Sequence, residues 1–255
     1  MSDGISSMTI PTGNSEVRIY YRQTTSSSAR LTASYPELDS AIANLNVLPD
    51  SVFAMRFINP PYDESNPLEI KQSGQFRVQL YDQYGNITTT PTNLNLYAST
   101  TGSQAEKSFT IPAGSSNATV AYAEEIPGHY EITVRDAPLG ATSRGLESIT
   151  QPVVVIYGDP ASFSFVPSST NLERGGIAQL QINLFNRYGA KVPAIGSGQT
   201  IHLSPLMRHS DYSGNYYYTG TGSFSLTPNG NFTANLDLTI PAGEFDGTFY
   251  YRNDD

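Results

Sequence analysis

The sequence predicts an all-β chain made of tandem sandwich modules, and three observations carry that prediction. The pattern T-I-P-x-G followed eight residues later by Tyr occurs three times, at 9–13 with Tyr21, at 110–114 with Tyr122 and at 239–243 with Tyr251. Repetition at a wide period marks a modular array. Separations of about 100 and about 130 residues fit sandwich-sized units and are too long for short solenoid repeats. Charged residues are only 15% of the chain, while Gly (21) and Tyr (17) are abundant, which favours strands and turns. Apolar residues alternate with polar ones, and no long segment carries a helical period.

Each element follows from this pattern. Phe76-Arg77-Val78-Gln79-Leu80 and Leu180-Gln181-Ile182-Asn183-Leu184 alternate with the same phase, as half-buried strands do. Both lead into the same kind of turn, Asp82-Gln83-Tyr84-Gly85-Asn86 and Asn186-Arg187-Tyr188-Gly189-Ala190. Gly at the matching position answers a need for positive φ, and Asp or Asn at the turn start bonds nearby backbone N–H groups. A further strand follows, Leu94-Asn95-Leu96 matched to Ile201-His202-Leu203, and then the strand entering T-I-P-x-G, in the last copy Phe232 to Leu238. Pro and Gly of the motif end the ladder and turn the chain.

Beyond Tyr122 come Gly128-His129-Tyr130-Glu131-Ile132-Thr133-Val134 and the apolar run Val153 to Tyr157. About seven strands therefore fall between Pro49 and Gly158, the number an immunoglobulin-like sandwich needs. Arg30-Leu31-Thr32-Ala33-Ser34 and the stretch ending at Val47-Leu48 give the first copy the same tail. Short polar joints at Pro49-Asp50 and Gly158-Asp159 set the boundaries. The expectation is three parts: 1–48, the C-terminal strands of an incomplete module; 49–158, a complete module; and 159–255, a module lacking its closing strands.

These pieces resemble the bacterial immunoglobulin-like repeats of invasin- and intimin-type adhesins and of S-layer-associated surface proteins. The resemblance rests on D-x-Y-G-N at 82–86, F-T-I-P-A-G at 109–114, the Tyr strand, G-x-Y-x-I-T-V at 128–134 and the apolar strand before Gly158-Asp159-Pro160. It implies an extracellular protein of the bacterial cell surface or envelope, with a structural or adhesive role, as stalk, spacer or surface-layer component. The implied partners are neighbouring modules, other subunits of an assembly, glycan or a host or cell-surface protein. The last copy departs by carrying Asn186 and Ala190 in place of Asp82 and Asn86, which reads as loss of the turn as a chemical site, and by an insertion at 207–221.

Composition narrows the function further. A net charge of −9 excludes a phosphate-binding surface, so nucleic acid is not an expected partner. Val153 to Tyr157, the longest apolar run, is far shorter than the roughly 20 residues that span a bilayer, so no membrane insertion is expected. With no Cys there are neither disulfides nor thiolate metal sites. His209-Ser210-Asp211 sets the three residue types of a hydrolase triad side by side, but working triads draw their members from separate elements, so no enzyme is expected.

Two binding sites are named as candidates. Asp50 and Asp159 fall at the joints, within reach of Asp82, and hard cations such as calcium take several oxygen ligands; no cofactor is required otherwise. The inserted segment carries Tyr212, Tyr216, Tyr217 and Tyr218 among small polar residues, the composition of adaptable surfaces for glycan or protein. The same composition also suits a hairpin extension, since Tyr is a good strand former. An alternative to a passive array is a self-assembling subunit, in which the N-terminal strands of one chain complete the last module of the next.

Overall fold

A computed structural model describes residues 7–168, 170–205, 207–210, 216–219 and 222–253. Every helical or extended element among them is a strand. The first two, β1 (Ser27–Tyr35) and β2 (Leu38–Val47), form an antiparallel hairpin with Glu37 at φ 73° in its tight turn. Most of this hairpin is exposed on both faces. Ahead of it, residues 7–26 form no strand, and Tyr21 stands outside any sheet.

The middle module contains β3 (Ala54–Phe57), β4 (Leu68–Glu69), β5 (Gly74–Tyr81), β6 (Leu94–Thr100), β7 (Lys107–Ile111), β8 (Asn117–Tyr122), β9 (Gly128–Arg135) and β10 (Ile149–Ile156). One sheet runs β3-β5-β8 and the other β4-β10-β9-β6-β7. Phe76, Val78 and Leu80, alternate residues of β5, are fully buried against Leu96, Ile111, Ile132, Val134 and Val153 of the facing sheet. Two largely antiparallel sheets closing on one core make this an immunoglobulin-like β-sandwich.

The last module contains β11 (Ser162–Val166), β12 (Ile177–Phe185), β13 (Gln199–Leu203), β14 (Met207–Ser210), β15 (Tyr216–Thr219), β16 (Ser223–Ser225), β17 (Leu236–Ile240) and β18 (Asp246–Arg252). Its first sheet runs β11-β12-β18-β16, and β13-β17 lies opposite, around Ile182, Leu184, Ile201, Leu238, Ile240 and Phe249. Among the described residues no strand takes the places of β9 and β10 in this module.

All three T-I-P-x-G motifs make the same turn. Asn14, Ser115 and Glu244 donate their N–H to the carbonyls of Pro11, Pro112 and Pro241 at 3.0, 2.9 and 3.1 Å. Gly13, Gly114 and Gly243 sit at φ 85°, 78° and 87°. Positive φ at the third residue alone is the type II turn, which is why Gly holds that place.

Two strand assignments differ from the sequence expectation. Leu94 pairs with Ile111 and Gln199 with Ile240, so Leu94-Asn95-Leu96 corresponds to Gln199-Thr200-Ile201, two residues before the match to Ile201-His202-Leu203. A two-residue shift keeps every side chain on its face, so alternation does not detect it. The strand expected from Phe232 begins only at Leu236, because Thr233 is taken by an isolated bridge to Phe224 of β16.

Candidate functional site

Both joints are fastened by the first residue of the repeated x-Tyr-Gly turn. Asp82 is buried, and its four acceptor positions are filled. Oδ1 accepts from the N–H groups of Tyr84 and Asn86, each at 2.9 Å, closing the turn. Oδ2 accepts from Asn86 Nδ2 at 2.8 Å and from the backbone N–H of Asp50, in the joint, at 3.0 Å. Asn86 extends the contact toward the hairpin: its Nδ2 donates to Thr24 O at 2.7 Å, and its Oδ1 accepts from Ser26 N–H at 3.0 Å. Thr88 Oγ1 adds a bond to Asp50 O at 2.6 Å.

At the second joint Asn186, also buried, caps its turn in the same way, accepting from Tyr188 and Ala190 N–H at 3.0 Å each. Its Nδ2 donates across the joint to Tyr157 O at 3.0 Å and to Ile70 O at 3.2 Å. Beside it Arg187 pairs with Glu69. Gly158 stands at φ 79°, a backbone conformation that favours Gly, and the Glu69 side chain packs into the space a Cβ would take.

Residue identity follows from what each joint presents. A backbone N–H faces the turn at the first joint, which requires an acceptor, and two carbonyls face it at the second, which requires a donor. The change from Asp82 to Asn186 is therefore not the loss of a chemical site expected from sequence. It is the same fastening with donor and acceptor reversed.

Burial opposes the charge on Asp82, but the bonds from the Asn86 side chain and from the Asp50, Asn86 and Tyr84 N–H groups outweigh it and hold the carboxyl at about 2, against an ordinary 3.8. Because the folded value is depressed, the stabilisation is fully present above the unfolded value and lost as pH falls toward 2. In Asp82→Asn an amide NH₂ would meet the Asp50 N–H and the Asn86 amide. The expected result is a lower melting temperature at pH 7, with the gap to wild type closing between about pH 4 and pH 2 in a thermal-melt series. A constant gap across that range would show that the carboxylate charge is not what holds the joint.

The calcium candidates are dispersed by this geometry. Asp50 and Asp82 meet through a backbone N–H, Asp159 lies at the other joint, and the lone pairs of Asp82 are already engaged. Among the described residues no group of three or more His, Cys, Asp or Glu could hold a metal ion. Strand register also places Asp50 level with Gly158 rather than Asp159, since Phe53 and Ala161 donate to the equivalent Tyr81 and Phe185 carbonyls.

Tyr212 lies outside the described residues, as does Asp211 of the His-Ser-Asp run. Tyr216, Tyr217 and Tyr218 lie in β15, which pairs antiparallel with β14, His209 opposite Tyr217 and Ser210 opposite Tyr216. His202 and Asp237 form an ion pair on the outer side of β13-β17, beside the Thr200–Thr239 hydroxyl pair at 3.1 Å. Both side chains are mostly exposed, so the pair is solvated. Glu124 and Asp136 are buried carboxylates that sequence reasoning missed; Asp136 accepts from Leu146 N–H at 2.9 Å and Ser143 Oγ at 3.2 Å. Glu124 lies beside Ser103. It accepts from Ser103 N–H at 2.9 Å and Ser103 Oγ at 2.8 Å, and Gly102 leaves room for it. Burial, then Glu124, pushes the Tyr122 hydroxyl up.

No family model and no curated protein matches the chain. Among solved structures it is similar to domains 4–9 of the surface layer protein SbsC, at 16% identity and TM-score 0.29 over 85% of this chain and 35% of that one. A two-domain fibronectin type III segment of chicken tenascin aligns at 11% identity and TM-score 0.29, over 78% and 82% of the two chains. Native E. coli alpha-2-macroglobulin aligns at 12% identity and TM-score 0.31, over 90% of this chain and 16% of that one. At these TM-scores the likeness carries no assignment, and the fold rests on the strand pairing itself. The chain spans about a third of the SbsC segment.

Proposed function

We propose that this chain is a structural, non-catalytic segment of a bacterial cell-surface protein, a stalk, spacer or surface-layer element of the invasin- and intimin-like kind. The observation that carries this reading is the buried Asx side chain bridging turn and joint at both module boundaries. Flexible linkers need no such fastening. A side chain that closes its own turn and bonds the neighbouring joint opposes bending, which is what a load-bearing or spacing array requires. Extracellular location follows the resemblance to bacterial surface repeats.

Small-angle scattering tests the reading. Wild type is expected to scatter as an extended particle with one maximum dimension, while Asn186→Ala broadens the distance distribution by freeing the second joint. Tyr188→Ala, which changes a partly exposed ring of the same turn, serves as the control and keeps the wild-type profile. Indistinguishable profiles for wild type and Asn186→Ala would remove the joint-stiffening role.

A further inference from the structure

We infer that the cavity under the loop joining β9 to β10 in the middle module is a binding site for a neutral saccharide. The site is separate from the joints and goes beyond the stalk reading. Its basis is a pair of buried polar atoms that the fold leaves without partners. Asp136 is 1% exposed, and its Oδ1 is buried with no hydrogen-bond partner among the described residues. The same holds for Nε of Arg135, the preceding residue. Both residues line one cavity of about 620 Å³, together with Ala137, Ser143, Leu146 and Glu147. Most buried polar atoms in folded proteins are paired, so two orphans on consecutive residues of one cavity point to a ligand.

The loop that walls the cavity is fixed without using either atom. Asp136 Oδ2 closes it, accepting from Leu146 N–H at 2.9 Å and from Ser143 Oγ at 3.2 Å. On the other side Ala141 N–H bonds to Pro138 O at 3.0 Å, with Gly140 at φ 82° in the turn between them. The Glu106 carboxylate then accepts from Leu139 N–H at 3.0 Å and from Arg135 Nη2 at 2.9 Å, and Nη2 also reaches Ser99 Oγ at 2.8 Å. Both side chains are held by bonds made through their other atoms, which leaves Oδ1 and Nε to the ligand. Walls ordered in advance lower the entropic cost of binding.

The two atoms select the chemistry. A carboxylate oxygen only accepts, and a guanidinium N–H only donates. A cation suits Oδ1 but confronts the guanidinium, while an anion suits Nε but confronts Asp136 and Glu147. A neutral group bearing hydroxyls donates to one and accepts from the other. A single bridging water would also do both, yet it needs only roughly 10–15 Å³ of such space. The cavity falls within the roughly 300–1,000 Å³ of small-molecule sites, and Ala137 and Leu146 give it apolar wall. A pyranose carries hydroxyls on successive carbons with C–H faces between them, and so meets both polar atoms and the wall.

Saturation-transfer NMR of the whole chain with methyl glucoside, methyl galactoside, methyl mannoside and methyl N-acetylglucosaminide tests the site. At least one glycoside is expected to take up saturation. Asp136→Asn keeps an acceptor for Leu146 and Ser143 but presents an NH₂ in place of Oδ1, so affinity should fall at least about tenfold. Arg135→Lys keeps a cation beside Glu106 but removes Nε–H, and should weaken binding by about threefold or more. Trypsin cleavage at the exposed Arg144 reads loop closure separately and should match wild type in both variants. Should Asp136→Asn fail to fold, Arg135→Lys decides. No saturation of any of these glycosides overturns the inference, and so does binding that Arg135→Lys leaves unchanged. Calcium chloride that raises the melting temperature of wild type but not of Asp136→Asn, with no glycoside bound, would give the cavity to a cation and overturn it as well. None of these outcomes bears on the joints, whose scattering test stands by itself.

Discussion

Phe76→Ala is expected to destabilise the middle module by about 3–5 kcal/mol, the range for truncating a buried aromatic ring. Phe76 is fully buried, and its ring meets Phe57, Tyr62 and Tyr122 edge-on at 6.2, 5.2 and 6.0 Å between centroids. These neighbours come from β3 and β8, the two strands flanking β5, and from the loop before β4, so no small rearrangement of one element refills the space. Denaturant unfolding followed by tyrosine fluorescence should show one transition moved to lower denaturant. A loss under about 1 kcal/mol would resemble a surface substitution and would mean the ring cluster is not the centre of this module.

Asn186→Asp should cost about 3 kcal/mol, the upper range for a buried polar group left without its partner, with a charge added. The turn caps survive, because Oδ1 still accepts from Tyr188 and Ala190, but a carboxylate oxygen then faces the Tyr157 and Ile70 carbonyls. An acceptor against two acceptors separates the modules rather than merely failing to join them. Limited proteolysis at the joint, read beside the melting temperature, checks this. The expectation is faster cleavage near Tyr157 and a lower melting temperature, and an unchanged variant would mean that water replaces the amide without loss.

What was legible in the sequence is what depends on local chemistry. Phe76, Val78 and Leu80 announced a half-buried strand because alternation follows directly from the pleat. Gly114 and Gly243 announced turns because only Gly accepts their φ without strain. What stayed hidden depends on partners without a sequence signature. Ile70 and Tyr157 receive Asn186 through main-chain carbonyls, which every residue carries alike. The one clue was the exchange of Asp for Asn at matching positions, a change of charge at constant shape. The offset of Leu94 against Gln199 was invisible because two residues return the chain to the same face. Strand β17 starts late because Phe224 of β16, just beyond the inserted segment, claims Thr233, and no local pattern near Phe232 signals that.

Reversed polarity at the two joints also limits how such a gene can change. Unequal crossing-over between repeats duplicates or deletes whole modules, and in a chain of interchangeable units that merely alters length. Here a shuffled copy would bring an Asp-type turn to a carbonyl-bearing joint, or an Asn-type turn to an N–H, and each mismatch leaves a buried group unpaired. Module order is thereby written into the joints, and recombinants that scramble it are expected to fold module by module yet fail to stack.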